Sequence, residues 1–557
     1  EKRSGLVRRV VLDIETDGLD ASKIYCAVTL DMDITNSGST RIFYTPEGMQ
    51  EYLSDATVIA HNGLSFDFPI LARLWGVRFK FEQMVDTLVL SMLDNPAREG
   101  GHSLKSWGIR LGEHKLEYQD DFSQWSPLML DYCKQDVAVC YKLYTTLTDH
   151  MKEFSAQSIR DEHRMRILAN RISNTGFKLN RDKTVTLFNR LMKEQDRISV
   201  ECKGLFPDLV IERTSVKTGK RLKDKVVEFN PASRKQIGER LVELGWKPKS
   251  FTEKGQAKVD ETTLSGCKLD VAQKLARYFL LQKRTSQIKS WIEQCSQDNR
   301  VHGQYRTLGA ITNRMSSVKP NLQQIPSVRV EYGEECRAVW EAGEGNKLID
   351  TDAAGLELRV LAHYMNDADF TKEVLHGDIH TANQQMAGLD DRPQAKTFIY
   401  ALLYGAGDEK IGSVVGGSAR DGATLRKRFM SNLPAYKRLS DAVQKKGREE
   451  GTLKAIDGRV LRVRHPHASL NTLIQGSSAV LMKKWFMYVD HHLRRKELNS
   501  RIVAMVHDEL VLESCEKDVA QSEECVILSI SQVNKAYKLR CKLDCDVQIG
   551  NNWSEIH

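Results

Sequence analysis

Between Arg501 and Leu512 the chain reads RIVAMVHDELVL, two apolar and partly β-branched runs separated by His507, Asp508 and Glu509. Such runs around a short polar tip predict a β-hairpin that carries two carboxylates at its turn. Carboxylates placed between buried strands are costly unless something pairs with them, and a divalent cation is the usual partner. A fold built on this segment has to deliver further acidic groups to the same place.

A second segment supplies them. In KLIDTDAAGLELR, Lys347 to Arg359, the pattern predicts a strand ending at Asp352 and then a helix with apolar Leu356, Val360 and Tyr364 behind it. Asp352 at a strand terminus can face a metal shared with Asp508. Two magnesium ions about 3.5 to 4 Å apart suit an in-line phosphoryl transfer, which needs little beyond positioning and charge. A third segment, RPQAKTFIYALLYG from Arg392 to Gly405, spaces Arg392, Lys396 and Tyr400 at i, i+4 and i+8, along one helix face, before a Tyr-Gly break. A cationic face of that kind can grip a triphosphate, and the aromatic residues suit a base or sugar.

In this order the three segments resemble motifs A, B and C of family A DNA polymerases, the polymerase I family. Stretches such as His102 to Glu113 and Leu403 to Gly412 further resemble the replicative polymerases of T-seven-like bacteriophages. The resemblance implies that Asp352, Asp508 and the Ala353 carbonyl are metal ligands, with Glu509 and His507 supporting the primer end. It implies that Arg392, Lys396 and His380 hold the triphosphate, Lys396 also protonating the departing pyrophosphate. Glu357 resembles the gate that rejects a ribose 2′-hydroxyl, and Tyr404 the residue stacked at the templating position. Tyr400 resembles the tyrosine type, which implies ready acceptance of dideoxynucleotides. Arg314, after Thr312-Asn313, and Gln475, in the run His467 to Gly476, resemble minor-groove readers of base-pair shape.

Near the N-terminus, Asp13 and Glu15 in VVLDIET project from one face of an apparent strand. Asp67 follows in HNGLSFDFP, and Tyr132 and Asp136 share a helix face at i and i+4. These three pieces resemble the DEDD exonuclease superfamily in its tyrosine variety. Asp13, Glu15, Asp67 and Asp136 are implied metal ligands, with Tyr132 orienting the attacking water. The expected fold class is an α/β multidomain chain: an RNase H-like 3′–5′ exonuclease domain over 1–150, then a right-hand polymerase. A helical linker and thumb region is expected over 151–340, and a palm over 341–557 with fingers inserted at about 366–460.

A chain of 557 residues exceeds what one core supports, leaving room for two centres. The formal charge of +8, 82 basic against 74 acidic residues, fits a polyanionic partner or an ordinary solvated surface. Eleven cysteines carry no zinc spacing, and no run approaches the roughly 20 apolar residues of a membrane span. The charged opening Glu1-Lys2-Arg3 is not followed by a signal-peptide stretch, and no 5′ nuclease domain is expected ahead of it. At about 205–230 a short basic segment with Arg213, Lys217, Lys220, Arg221, Lys223 and Lys225 reads as a loop or insertion that contacts duplex phosphates or is simply solvated. The resembled phage polymerases that borrow host thioredoxin carry a long basic insertion at the matching place, so the resemblance implies that thioredoxin dependence is doubtful here.

Expected cofactors are two Mg2+ per centre, with Mn2+ as a substitute. Expected partners are primer-template DNA and dNTPs, with a phage helicase-primase and single-strand binding protein, for a monomer in the cytoplasm of an infected bacterium. A single-subunit RNA polymerase is disfavoured by the exonuclease motifs, Glu357 and Glu509, and a non-catalytic DNA-binding subunit by the intact carboxylates.

Overall fold

The structure, a computed structural model, describes residues 8–34, 39–113, 121, 123–214 and 219–557. Lys217 of the basic segment and the opening Glu1-Lys2-Arg3 lie outside the described residues. The chain divides into two compact units: one holds residues up to Thr175, Gln304–Val318 and Ile349–Gln548, the other Gly176–Gly303, Lys319–Leu348 and Ile549–His557.

In the first unit a five-stranded sheet has β1 (Arg8–Thr16) at its centre, in the order β3-β2-β1-β4-β5. β2 (Ile24–Asp31) runs antiparallel to β1, while β3 (Thr40–Phe43), antiparallel to β2, and β4 (Ala56–Ala60) and β5 (Met84–Asp86) run parallel to β1. This is the RNase H-like order. Alternation along β1 sends Val10, Leu12 and Ile14 into one core and Val11 into another, shared with Cys133, Val137 and Cys140 of the helix Pro127–His150. Asp13 and Glu15 follow Val11 at the period of two, so they too face that helix.

The same unit holds the second sheet's acidic end. Its four strands lie in the order β7-β8-β6-β9, where β6 is Asn346–Ala353, β7 Ser500–Val506, β8 Glu509–Cys515 and β9 Cys545–Gly550. β7 and β8 pair antiparallel from Ser500↔Ser514 to Val506↔Glu509, leaving His507 and Asp508 as a two-residue turn. His507 has φ of 55°, the left-handed conformation such turns demand. Between β6 and β7 lies a run of helices that includes Leu356–Met365, Ile379–Ala387, Arg392–Leu403 and the long Ser469–Arg495.

In the second unit the helices Arg181–Lys203 and Asp270–Gln294 pack on one another, and Phe177, Trp291, Trp340 and Trp553 form an aromatic core with ring centroids 5.3 to 6.4 Å apart. The basic segment differs from its expected loop: Leu209–Thr214 and Arg221–Val227 form an antiparallel hairpin with Val210 opposite Val226. Its β-branched residues drive pairing although charge dominates its composition. Among the described residues, no helix is long and apolar enough to cross a membrane.

Candidate active sites

The end of β6 is fastened to the turn between β7 and β8. Ala353 N–H donates to the Asp508 carbonyl at 3.1 Å, and Thr351 Oγ1 to the Leu510 carbonyl at 3.0 Å. Asp352, Asp508 and Glu509, which lie far apart in the sequence, are thereby brought together. Asp352 keeps an open face to solvent, yet the protein packed round its other sides raises its pKa to about 7, with Asp508, Glu509 and Asp546 repelling the ionised form. Burial also pushes Asp508 up, followed by the charge of Glu357. Asp350 is pushed up to about 9 by burial and then by Glu509, to which it is hydrogen-bonded. One of its oxygens, Oδ1, is buried without a hydrogen-bond partner.

The helix Arg392–Leu403 starts on Asp391, which caps it by accepting from Gln394 N–H at 2.7 Å, and stops at Tyr404, before Gly405 at φ of 71°. Arg392 and Lys396 are exposed on it. Arg392 Nε lies 2.7 Å from Asp378 Oδ2, and the other Asp378 oxygen caps the helix Ile379–Ala387 by accepting from His380 and Thr381 N–H. His380 is half-buried, its ring 6.3 Å from that of Tyr400, and its pKa is lowered by burial and then by Arg392 and Lys396. Tyr400 and Tyr404 lie 6.1 Å apart at 31°. Burial pushes the Tyr400 phenol up to about 12, with Glu357, Tyr404, Asp508 and Asp352 adding to it, so this ring stands within the field of the acidic centre. Glu357 is ion-paired with Arg314, and Arg314 also hydrogen-bonds Tyr404. Gln475 is half-buried, one turn after Asn471 on the helix Ser469–Arg495.

In the N-terminal sheet, Asp13 and Glu15 meet the helix Pro127–His150, where Cys133 Sγ lies 3.4 Å from Asp13 Oδ2. Glu15, Asp67 and Asp136 are buried and Asp13 and Tyr132 half-buried. Asp67 opens the helix Asp67–Ile70 and accepts a hydrogen bond from the Ile14 N–H, between Asp13 and Glu15. Burial raises it to about 7, and Asp86 and Asp136 add repulsion. Its Oδ1 is buried without a hydrogen-bond partner. Asp86 accepts from Asn62, Leu64 and Leu88 N–H at 2.9 to 3.1 Å, which pins the loop that carries Asp67.

Residues 211–555 match the family model described as DNA polymerase family A. The chain belongs to DNA polymerase family A. As such it is a DNA-directed DNA polymerase. The polymerase is 30% identical to the DNA-directed DNA polymerase of Escherichia phage T7 over 98% of its own length and 100% of the relative's. Their alignment spans 711 positions, more than this chain contains, so the relative carries segments that this polymerase lacks. It is 26% identical to DNA polymerase I of Aquifex aeolicus (strain VF5), over 91% of this chain and 90% of the relative. In fold it resembles the POL domain of Pol1 from M. smegmatis, solved in complex with DNA primer-template and dNTP, with a TM-score of 0.81 at 20% identity over 98% of this chain and 95% of that one.

Polymerases of this family use divalent metals, and both acidic centres fit such ions. Each gathers carboxylates that repel one another, and each holds a buried carboxylate oxygen without a hydrogen-bond partner. Sequence reasoning on this polymerase missed Asp350, Asp546, Asp86 and Cys133. Asp350 was findable, since it precedes Asp352 by two on one strand. Asp546 and Asp86 come from remote segments and carry no signal of their own, and Cys133, though next to Tyr132, reads as an ordinary buried helix residue.

Proposed function

We propose that this family A polymerase adds deoxynucleotides to a primer 3′ end by two-metal phosphoryl transfer and proofreads with a 3′–5′ exonuclease, as the replicative enzyme of a bacteriophage. The observation that carries it is the Ala353–Asp508 backbone hydrogen bond, which closes one acidic centre from two distant segments.

Asp352, Asp508 and the Ala353 carbonyl would hold the ions. Magnesium, or manganese in its place, would supply charge stabilisation at the attacking and leaving oxygens when bound. Arg392, Lys396 and His380 grip the triphosphate, and Lys396 passes its proton to the leaving pyrophosphate. Glu509 and His507 support the primer end. Glu357 excludes the 2′-hydroxyl, Tyr400 lies against the incoming sugar, and Tyr404 stacks at the templating base. Arg314 and Gln475 read the minor groove. At the N-terminal centre Asp13, Glu15, Asp67 and Asp136 would hold metal, and Tyr132 orients water towards the terminal phosphodiester.

This reading divides the chain into an exonuclease domain over 1–150, a linker and thumb over 151–340, and a palm over 341–557 with fingers at about 366–460. The partners are primer-template DNA and dNTPs, as in the M. smegmatis complex, and a phage helicase-primase and single-strand binding protein, for a monomer in the cytoplasm of an infected bacterium. Dependence on thioredoxin is doubtful on this reading, because the basic segment at about 205–230 is short. Thioredoxin added to a primer-extension assay should leave product length unchanged.

Magnesium-dependent extension of a primed template with dNTPs or rNTPs tests the polymerase reading. Asp352→Ala is expected to lower the dNTP rate by at least about a hundredfold, and extension equal to the parent's would overturn the assignment. Asp13→Ala with Glu15→Ala is expected to abolish degradation of single-stranded DNA while synthesis continues.

A further inference from the structure

One side chain of the helix Ala156–Thr175 touches a segment of each candidate centre. Arg166 Nε donates to Ser65 Oγ at 2.9 Å, two residues before Asp67, and its Nη1 donates to the Tyr305 carbonyl at 2.8 Å. Tyr305 lies on the strand Gln304–Arg306, which pairs antiparallel with Ser316–Val318, and Arg314 sits in the connection between those strands. We propose that Arg166 is a positioning residue for excision, a clamp that fixes the loop bearing Asp67 against the hairpin bearing Arg314. The proposal rests on the exonuclease reading for the role of Asp67.

Glu162, Arg166 and Asn170 recur at intervals of four, so one face of this helix carries all three. On the loop side, Ser65 Oγ donates to Asn170 Oδ1 at 3.3 Å, and Asn170 Nδ2 donates to the Leu64 carbonyl at 3.0 Å. One turn before Arg166, His163 Nε2 accepts from the Asp86 N–H at 3.0 Å, and Asp86 is the carboxylate that accepts from Asn62 and Leu64 N–H. On the hairpin side, the hydroxyl of the buried Tyr305 accepts from the Met505 N–H on β7 at 3.2 Å. Glu162 is ion-paired with Arg459, whose Nη1 donates to Asn313 Oδ1 at 3.4 Å, one residue before Arg314.

A guanidinium presents its donors in one rigid plane, so the group itself sets the spacing between Ser65 and the Tyr305 carbonyl. Arg166 is half-buried, and burial lowers its pKa against the opposing charge of Asp86, so both contacts are made where water competes less. Without the clamp the loop would loosen, and with it the hydrogen bond that Asp67 accepts from the Ile14 N–H. Excision would then slow at the chemical step, because Arg166 acts on a carboxylate's place and not on the DNA.

The full chain is compared with Arg166→Met, Ser65→Ala and the two combined. Arg166→Lys, whose single nitrogen cannot reproduce the fork, replaces Arg166→Met if that variant does not fold. For magnesium-dependent degradation of single-stranded DNA, Arg166→Met should lower kcat at least about tenfold while KM stays within about threefold, and adding Ser65→Ala should cost nothing further. In metal-free protein, amide hydrogen exchange should quicken in both 61–70 and 304–318 for Arg166→Met, but only in 61–70 for Ser65→Ala. An unchanged kcat, a loss confined to KM, or unaltered exchange at either segment in Arg166→Met would overturn the clamp. A parent that degrades no DNA removes the exonuclease reading and the proposal with it, whereas an active parent matched by its variants removes the proposal alone.

Discussion

Arg314 and Glu357 are ion-paired beside the acidic centre, with 32% and 10% of their side chains exposed. Arg314 is proposed to read the minor groove and Glu357 to police the sugar, and on that reading the pair would join two tests of the nascent base pair through one contact. Tyr404, hydrogen-bonded to Arg314, extends the link to the helix Arg392–Leu403.

A double-mutant cycle of Arg314→Ala and Glu357→Ala is expected to show coupling of about 1 kcal/mol in kcat/KM for a correct dNTP. Each change alone strands a partner whose geometry depends on the other. Effects that add within error would show that the two residues act separately.

Stability without divalent ions should depend on pH in a definite direction. Asp352 and Asp350 have folded pKa values of about 7 and about 9, both above the ordinary carboxylate range near 4. The folded state therefore binds more protons than the unfolded one, so the contribution is full below about pH 4 and is lost as pH rises through about 7 for Asp352 and about 9 for Asp350. Thermal melts in chelator should show Asp350→Asn gaining Tm on the parent at pH 8 and losing that advantage at pH 5. Added Mg2+ should raise the parent's Tm at pH 8, because it neutralises the same repulsion.

Glu162, on the helix Ala156–Thr175, meets two buried cations: Arg459, which also pairs with Asp457 at 2.9 Å, and Lys483, 2.7 Å away. Glu162→Ala would leave both cations short of counter-charge in the interior and should cost about 3 to 5 kcal/mol in chemical denaturation. Glu162→Leu with Lys483→Leu should recover part of that loss, since no orphaned ammonium remains.

Tyr400 stands next to His380 and Tyr404, with its phenol in the field of Glu357 and Asp508. The parent is expected to incorporate dideoxynucleotides almost as readily as deoxynucleotides, and Tyr400→Phe to discriminate against them strongly. Competitive single-nucleotide insertion reads the ratio. Equal ratios in parent and variant would remove the role given to the hydroxyl.

Much of both centres was legible in short segments. The strand ending near Asp352, the hairpin round Asp508, the helix carrying Arg392, Lys396 and Tyr400, and the strand bearing Asp13 and Glu15 all follow from local periodicity and turn chemistry, which act over a few residues. The hairpin Leu209–Thr214/Arg221–Val227 was read as a loop, because its charges masked a weak alternation and strand pairing depends on partners remote from any window.

By itself, the sequence determined which residue types could meet at each centre and on which face of its own element each one stands, since backbone periods of 2 and 3.6 are local properties. Only the tertiary structure decided that Arg314 pairs with Glu357, that Asp350 shares a hydrogen bond with Glu509, and that Cys133 rests on Asp13. Those contacts join segments distant along the chain. Their pKa shifts arise from burial and like charge, which exist only once the chain has closed round them.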